Sequence, residues 1–402
     1  MATLNMSKCR VQDGSMLITY SDNVIQIEVD GRKSINSLVF LEDGKHLLSG
    51  GEDGTIRRWR VEDGREIEDQ RITTPSAVRA IALSRDGNWI VGAGERVAIV
   101  WNRRTRQVAR TVSEHSGWVN TVDVSPDSTK FATGSDDKKV TIWDISNGRR
   151  LVGPLQHCYP VIAVRFSPDG DCIAVAQRNY CLKIYDAYGG LTLERITTVS
   201  LSPNSPIAWL GNSRRIFTLS GNQIRLFRDT KVTAEWKIPG HSDDKNSWST
   251  GISLPSNKTF IAAFTGRVLT FWNLSTRERL GPIFEHRQVD KLYSITLSPD
   301  NNYVATGSND GIIILRNLND IIPSSLNSQS KVSQREVRTP VEAHQVTPRA
   351  LELRSGAFYC NTICIPPRAD SHQTSRAVHP LTPMTALNHK LLHSAFRMAL
   401  IA

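Results

Sequence analysis

The chain has 402 residues, 39% hydrophobic and 22% charged, with 49 Lys/Arg against 39 Asp/Glu for a formal net charge of +10. This is the composition of a globular protein. No run approaches ~18 uninterrupted apolar residues, which excludes a membrane-spanning helix, and the six scattered cysteines (Cys9, Cys158, Cys172, Cys181, Cys360, Cys364) exclude a dense disulfide framework. Met1–Arg10 lacks the apolar core of a signal peptide, so the expected location is the cytoplasm, with the nucleus as the alternative.

The first strand-like runs are Met16–Tyr20 and Val24–Val29. From residue 34 the chain becomes periodic. The aromatics closing successive runs are Trp59, Trp101, Trp143, Tyr185, Phe227 and Trp272, with Arg316 in the seventh place, at intervals of 42, 42, 42, 42, 45 and 44 residues. A second marker is the turn containing Asp43, Asp86, Asp127, Asp169, Asn212, Asn257 and Asp300, with steps of 43, 41, 42, 43, 45 and 43. Two markers keeping step seven times identify an internal repeat.

One period, residues 115–156, reads as four short strands. Val119–Val124 alternates and stops at Ser125-Pro126-Asp127, Lys130–Gly134 follows, Lys139–Ile145 ends at the hairpin signal Asn147-Gly148, and Arg150–Leu155 is the last. Four antiparallel strands in about 42 residues have the dimensions of a propeller blade. A lone blade leaves two apolar faces exposed, and stacking around an axis buries them. The expected fold is therefore all-β, a seven-bladed β-propeller of four-stranded antiparallel blades. Val24–Val29 can supply the outer strand that blade seven lacks after Leu318, and Met16–Tyr20 is then an extra strand.

A composition break falls near residue 320: all nine tryptophans and 25 of the 26 glycines precede it. The expected organisation is an N-terminal extension over 1–14, the propeller over 15–320 and a disordered tail over 321–402, in which nine Lys/Arg face four Asp/Glu. Within the tail, Leu387, Leu391, Ala395 and Met398 have helical spacing, and Cys360, Cys364 and His372 are too few for a zinc site.

The runs Ser135-Asp136-Asp137 to Val140-Thr141-Ile142-Trp143-Asp144, and Gly50-Gly51-Glu52-Asp53-Gly54 to Ile56-Arg57-Arg58-Trp59, resemble the WD repeat. The resemblance covers about residues 15–320. It implies a structural network in which aspartate, histidine, serine or threonine and tryptophan are bonded in series. Carried over, blade three has His115, Thr133, Asp137 and Trp143. Blade one has Ser49, Asp53 and Trp59 without a histidine, and blade seven has His286, Thr306 and Asp310 with Arg316 for the aromatic. Blade four retains His157, blade six His241 and Trp272, and blades two and five are degenerate.

No Gly-rich phosphate loop, dinucleotide fingerprint, zinc-protease helix or nucleophile elbow is present, so no catalytic residue, cofactor or metal ligand is expected. The resemblance implies that partners dock on the face bearing the loop before each first strand and the turn between strands two and three. The side chains expected around the channel there are Asn36, Glu52, Arg79, Trp118, Asn120, Asp136, Arg178, Ser205, Trp248, Thr250, Lys291, Tyr293 and Asn309. Trp118 and Trp248 are expected in the same slot of blades three and six. Aromatics beside arginine are typical of binding hot spots. The mixed signs favour a protein or peptide partner over a phosphate backbone, giving a non-catalytic protein-binding scaffold, as in signalling or assembly complexes. The alternatives are a nucleic-acid-associated subunit (chromatin or RNA processing) using the basic tail and a propeller enzyme.

Overall fold

A computed structural model describes residues 7–10, 17–21, 24–178, 181–197, 206–211, 215–220, 222–228, 231–238, 249–286, 289–319 and 321–327. Ser205, His241, Trp248 and the tail features beyond residue 327 lie outside the described residues.

Short alternating runs ended by polar turns fold as hairpins, and the turns are specified locally. In the first turn of blade three the Ser125 hydroxyl lies 2.5 Å from Asp127 Oδ1 and accepts the Lys130 N–H at 2.9 Å. The same Ser-x-Asp pairing recurs at Ser84–Asp86, Ser167–Asp169 and Ser298–Asp300. Burial works against the charge of Asp127, but the Ser125 hydroxyl, the Thr129 N–H and the Lys130 charge outweigh it and hold this carboxyl down at about 2.

Strand pairing gives seven antiparallel sheets, six of them built from four strands consecutive in the chain. Blade one comprises Ile35–Phe40, His46–Gly51, Thr55–Arg60 and Ile72–Thr73, and blade three Val119–Val124, Lys130–Ser135, Lys139–Asp144 and Arg150–Gln156. Blade seven starts with Leu292–Leu297, Tyr303–Ser308 and Ile312–Asn317, and its fourth strand is Val24–Glu28 from the other end of the sequence. Ile27 pairs with Ile313 and Ile25 with Leu315, so the first and last parts of the repeat share one sheet. Leu17–Ser21 and Ser7–Arg10 extend that sheet to six strands. The latter strand falls within the stretch 1–14 that the sequence set apart.

Burial follows the ring. Each apolar cluster joins neighbouring sheets: Ile27, Ala305, Ile313 and Leu315 of blade seven pack with Ile35, Phe40, Leu47 and Trp59 of blade one. Equivalent clusters occupy the other six junctions, from one to two through six to seven. The seven-bladed propeller expected from the period is thus the fold. Packing continues to Leu326, whose carbonyl accepts a hydrogen bond from Asn257 at 2.8 Å, and Ile322 is buried between blades six and seven. The composition break near residue 320 marks where the repeat ends, not where packing ends.

Candidate interaction site at the channel mouth

Residues in or beside the first strands of all seven blades enclose an open cavity of about 650 Å³. Asn36, Glu52, Arg79, Trp118, Asn120, Arg178, Thr250 and Tyr293 from the sequence reading line it. Asp136, Lys291 and Asn309 are not among its lining residues; the Lys291 N–H instead donates to Asn309 Oδ1 at 2.9 Å, and Asn309 Nδ2 donates to Asp290. Arg165, Ile162 and Ser294 line the cavity and were not anticipated. The signal for Arg165 was a cation interrupting the apolar strand Val161–Phe166.

Between blades two and four the mouth holds a polar cluster. The Arg79 guanidinium lies 4.3 Å from the centre of the half-buried Trp118 ring and donates to Asn120 Oδ1 at 2.5 Å. Asn120 Nδ2 donates to Asp136 Oδ1 at 2.8 Å and to the Val161 carbonyl at 2.9 Å, tying blade three to blade four. Asn36 repeats this tie between blades one and two through the Val78 carbonyl at 2.9 Å. Asp136 stands 3.8 Å from Arg79 and 3.5 Å from Arg178, and the two arginine side chains remain 37% and 50% exposed. A guanidinium stacked on an indole is restricted in rotation while its remaining N–H groups stay presented to solvent.

Trp248, expected in the slot of Trp118, lies outside the described residues; the described register of blade six begins at its neighbour Ser249. The Trp118 carbonyl accepts the Asp136 N–H, and in blade six the Ser249 carbonyl accepts the Gly266 N–H, so Ser249 holds that place. Blade three carries a bulge between Val119 and Thr121 that the first pair of blade six lacks, and this one-residue difference shifts the count.

Behind the mouth, blade three joins four side chains in series. His115 Nδ1 is 2.9 Å from Asp137, His115 Nε2 is 2.8 Å from Thr133 Oγ1, and Trp143 Nε1 donates to the same hydroxyl at 2.9 Å. In blade one Trp59 donates to Ser49 at 2.8 Å, while Asp53 is bonded separately by Arg57 at 2.8 Å, which also donates to Glu66 at 3.2 Å. Blade seven departs from the series. Among the described residues neither ring nitrogen of His286 nor the Thr306 hydroxyl has a hydrogen-bond partner, Asp310 is bonded to Ser308, and Arg316 lies 4.2 Å from the Phe284 ring centre. An arginine in the aromatic slot leaves no indole N–H to complete the chain.

The family model for WD domain, G-beta repeat matches residues 25–60, 106–144, 149–186 and 279–317. Four such matches on a ring of seven sheets decide the family. The chain is a WD-repeat β-propeller. Each match begins in the outer strand of one blade and runs through the first three strands of the next. The match at 25–60 therefore places Val24–Glu28 as the outer strand of blade seven, in agreement with the pairing.

The chain is 27% identical over 190 residues to "Periodic tryptophan protein 2" of Arabidopsis thaliana, covering 46% of this chain and 20% of the relative. It is 32% identical over 163 residues to "Transcription initiation factor TFIID subunit 5" of Caenorhabditis elegans, covering 40% of this chain and 25% of the relative. To "Guanine nucleotide-binding protein subunit beta" of Zea mays it is 24% identical over 229 residues, covering 54% of this chain and 60% of the relative. The match thus spans less than two thirds of each relative's length. No helix among the described residues is long and apolar enough to cross a membrane. Among the same residues no group of three or more His, Cys, Asp or Glu is placed to hold a metal ion.

Proposed function

We propose that this WD-repeat propeller is a non-catalytic scaffold that holds partner proteins or peptides at the channel mouth. The supporting observation is the cluster in which Trp118, Arg79, Asn120 and Arg178 converge from three blades on an open cavity, with Asp136 bonded to Asn120 beside them. Rigid sheets fix the positions of these groups, while aromatic and guanidinium surfaces remain available for contact. Two of the three relatives above are named as subunits, in keeping with a part in a larger assembly.

Affinity capture with the full chain tests the reading, using paired substitutions. Trp118→Ala should remove the captured proteins at unchanged thermal stability. Asp137→Ala should lower stability, since it strands the buried His115, at a cost of roughly 1–3 kcal/mol. Capture of the same proteins by Trp118→Ala contradicts the assignment of the face.

A further inference from the structure

Charge around the mouth is unevenly distributed. Three guanidiniums line the cavity, those of Arg79, Arg165 and Arg178, and among the described lining residues Glu52 supplies the single carboxylate. Asp136 stands at the rim, and its Oδ1 is already bonded to Asn120 at 2.8 Å. The contacts of Asp136 with Arg178 and Arg79, at 3.5 and 3.8 Å, are ion pairs without short hydrogen bonds. One carboxylate between two guanidiniums leaves one positive charge uncompensated. Arg79 cannot swing away to relieve it, because Trp118 stacks under it and Asn120 fixes its fork. Arg178, half exposed, has donors to spare.

We propose that this part of the mouth takes an acidic peptide segment, with an Asp or Glu carboxylate of the segment seated between Arg79 and Arg178. The inference rests on the scaffold reading above and deepens it by naming the chemistry of the partner. A carboxylate matches the guanidinium fork in two parallel hydrogen bonds. It would bring the pair of arginines to neutrality together with Asp136. Trp118 and Tyr293, the latter 42% exposed, offer apolar surface to flanking side chains.

Panning a random peptide-display library on the full chain, with Trp118→Ala and Arg178→Gln run in parallel, tests this. Peptides retained by the native chain and lost with Trp118→Ala define mouth ligands. These should be enriched severalfold in Asp and Glu over the input. The tightest should weaken about tenfold with Arg178→Gln, and similarly when its own Glu or Asp becomes the amide. Arg178 is half exposed, so its replacement leaves the fold intact, which circular dichroism checks. Mouth ligands without acidic enrichment overturn the proposal and leave the scaffold reading standing. Ligands indifferent to Trp118→Ala, or no ligands at all, overturn both. Synthetic copies carrying phosphoserine form a final arm, and binding that appears only with the phosphate overturns the carboxylate assignment.

Discussion

His157 and His286 precede the first strands of blades four and seven as His115 does in blade three, yet among the described residues their ring nitrogens meet no hydrogen-bond partner. Burial, helped by the charges of Lys183 and Arg316 respectively, pushes them down to about 3 and about 4, so both are neutral in the folded chain. In the unfolded chain a histidine titrates near ~6.5. Between these values the unfolded state binds more protons. The stability these residues contribute is complete above ~6.5 and is lost as pH falls toward 4 and then 3. Urea midpoints at about pH 7 and about pH 4.5 should differ by an amount equivalent to roughly 2 kcal/mol per histidine, and His157→Phe should flatten the dependence. Equal midpoints would contradict the burial of neutral rings. Eight residues of the mouth were legible because two markers fixed the register on either side of each first strand. Arg57 and Arg165 were not. A cation within a strand reads as solvent-facing, and its buried or channel-facing position depends on partners far along the chain, or on a neighbouring blade.

At the level of the blade, packing sets which residue each strand can carry. A Cβ added at Gly134, in the second strand of blade three, would sit 2.5 Å from Val161 Cγ1 of blade four and 2.9 Å from Thr121 Cγ2. Gly307 meets Ile35 of blade one at 2.6 Å in the same way. Blade four bears Ala176 at the equivalent pairing. Gly134→Ala should therefore cost about 1–3 kcal/mol in urea unfolding, mostly as faster unfolding of the junction between blades three and four. A neutral result would show that the junction is looser than the geometry requires. Strands were readable from alternation and turn chemistry together. Their exact pairing was not, since the bulge at Val119–Thr121 leaves no mark in composition yet offsets the count of blade three by one residue from that of blade six. The two outermost strands attached to blade seven were equally hard to place, because four strands already complete a blade.

For the whole molecule the decisive feature is how the ring shuts. Seven junctions bury apolar faces, and the one between blades seven and one contains residues from both ends of the repeat: Ile27 and Val29 from one end, and Ile313 and Leu315 from the other. The period of the sequence implied seven sheets and also that blade seven lacked an outer strand, so this closure was legible from a count. The identity of what the mouth holds was not, since it depends on side chains brought together from separate blades. Closure also holds the mouth in shape, because Ser34 Oγ of blade one donates to the Asn309 carbonyl of blade seven at 2.9 Å. The most direct test pairs Gln26→Cys with Ile314→Cys, whose Cα atoms are register partners across the closing strands. Mild oxidation should form a disulfide within one chain, seen by peptide mapping, and raise the thermal midpoint. Thiols that remain unbridged, or that join only between chains, would contradict a ring closed by its N-terminal strand.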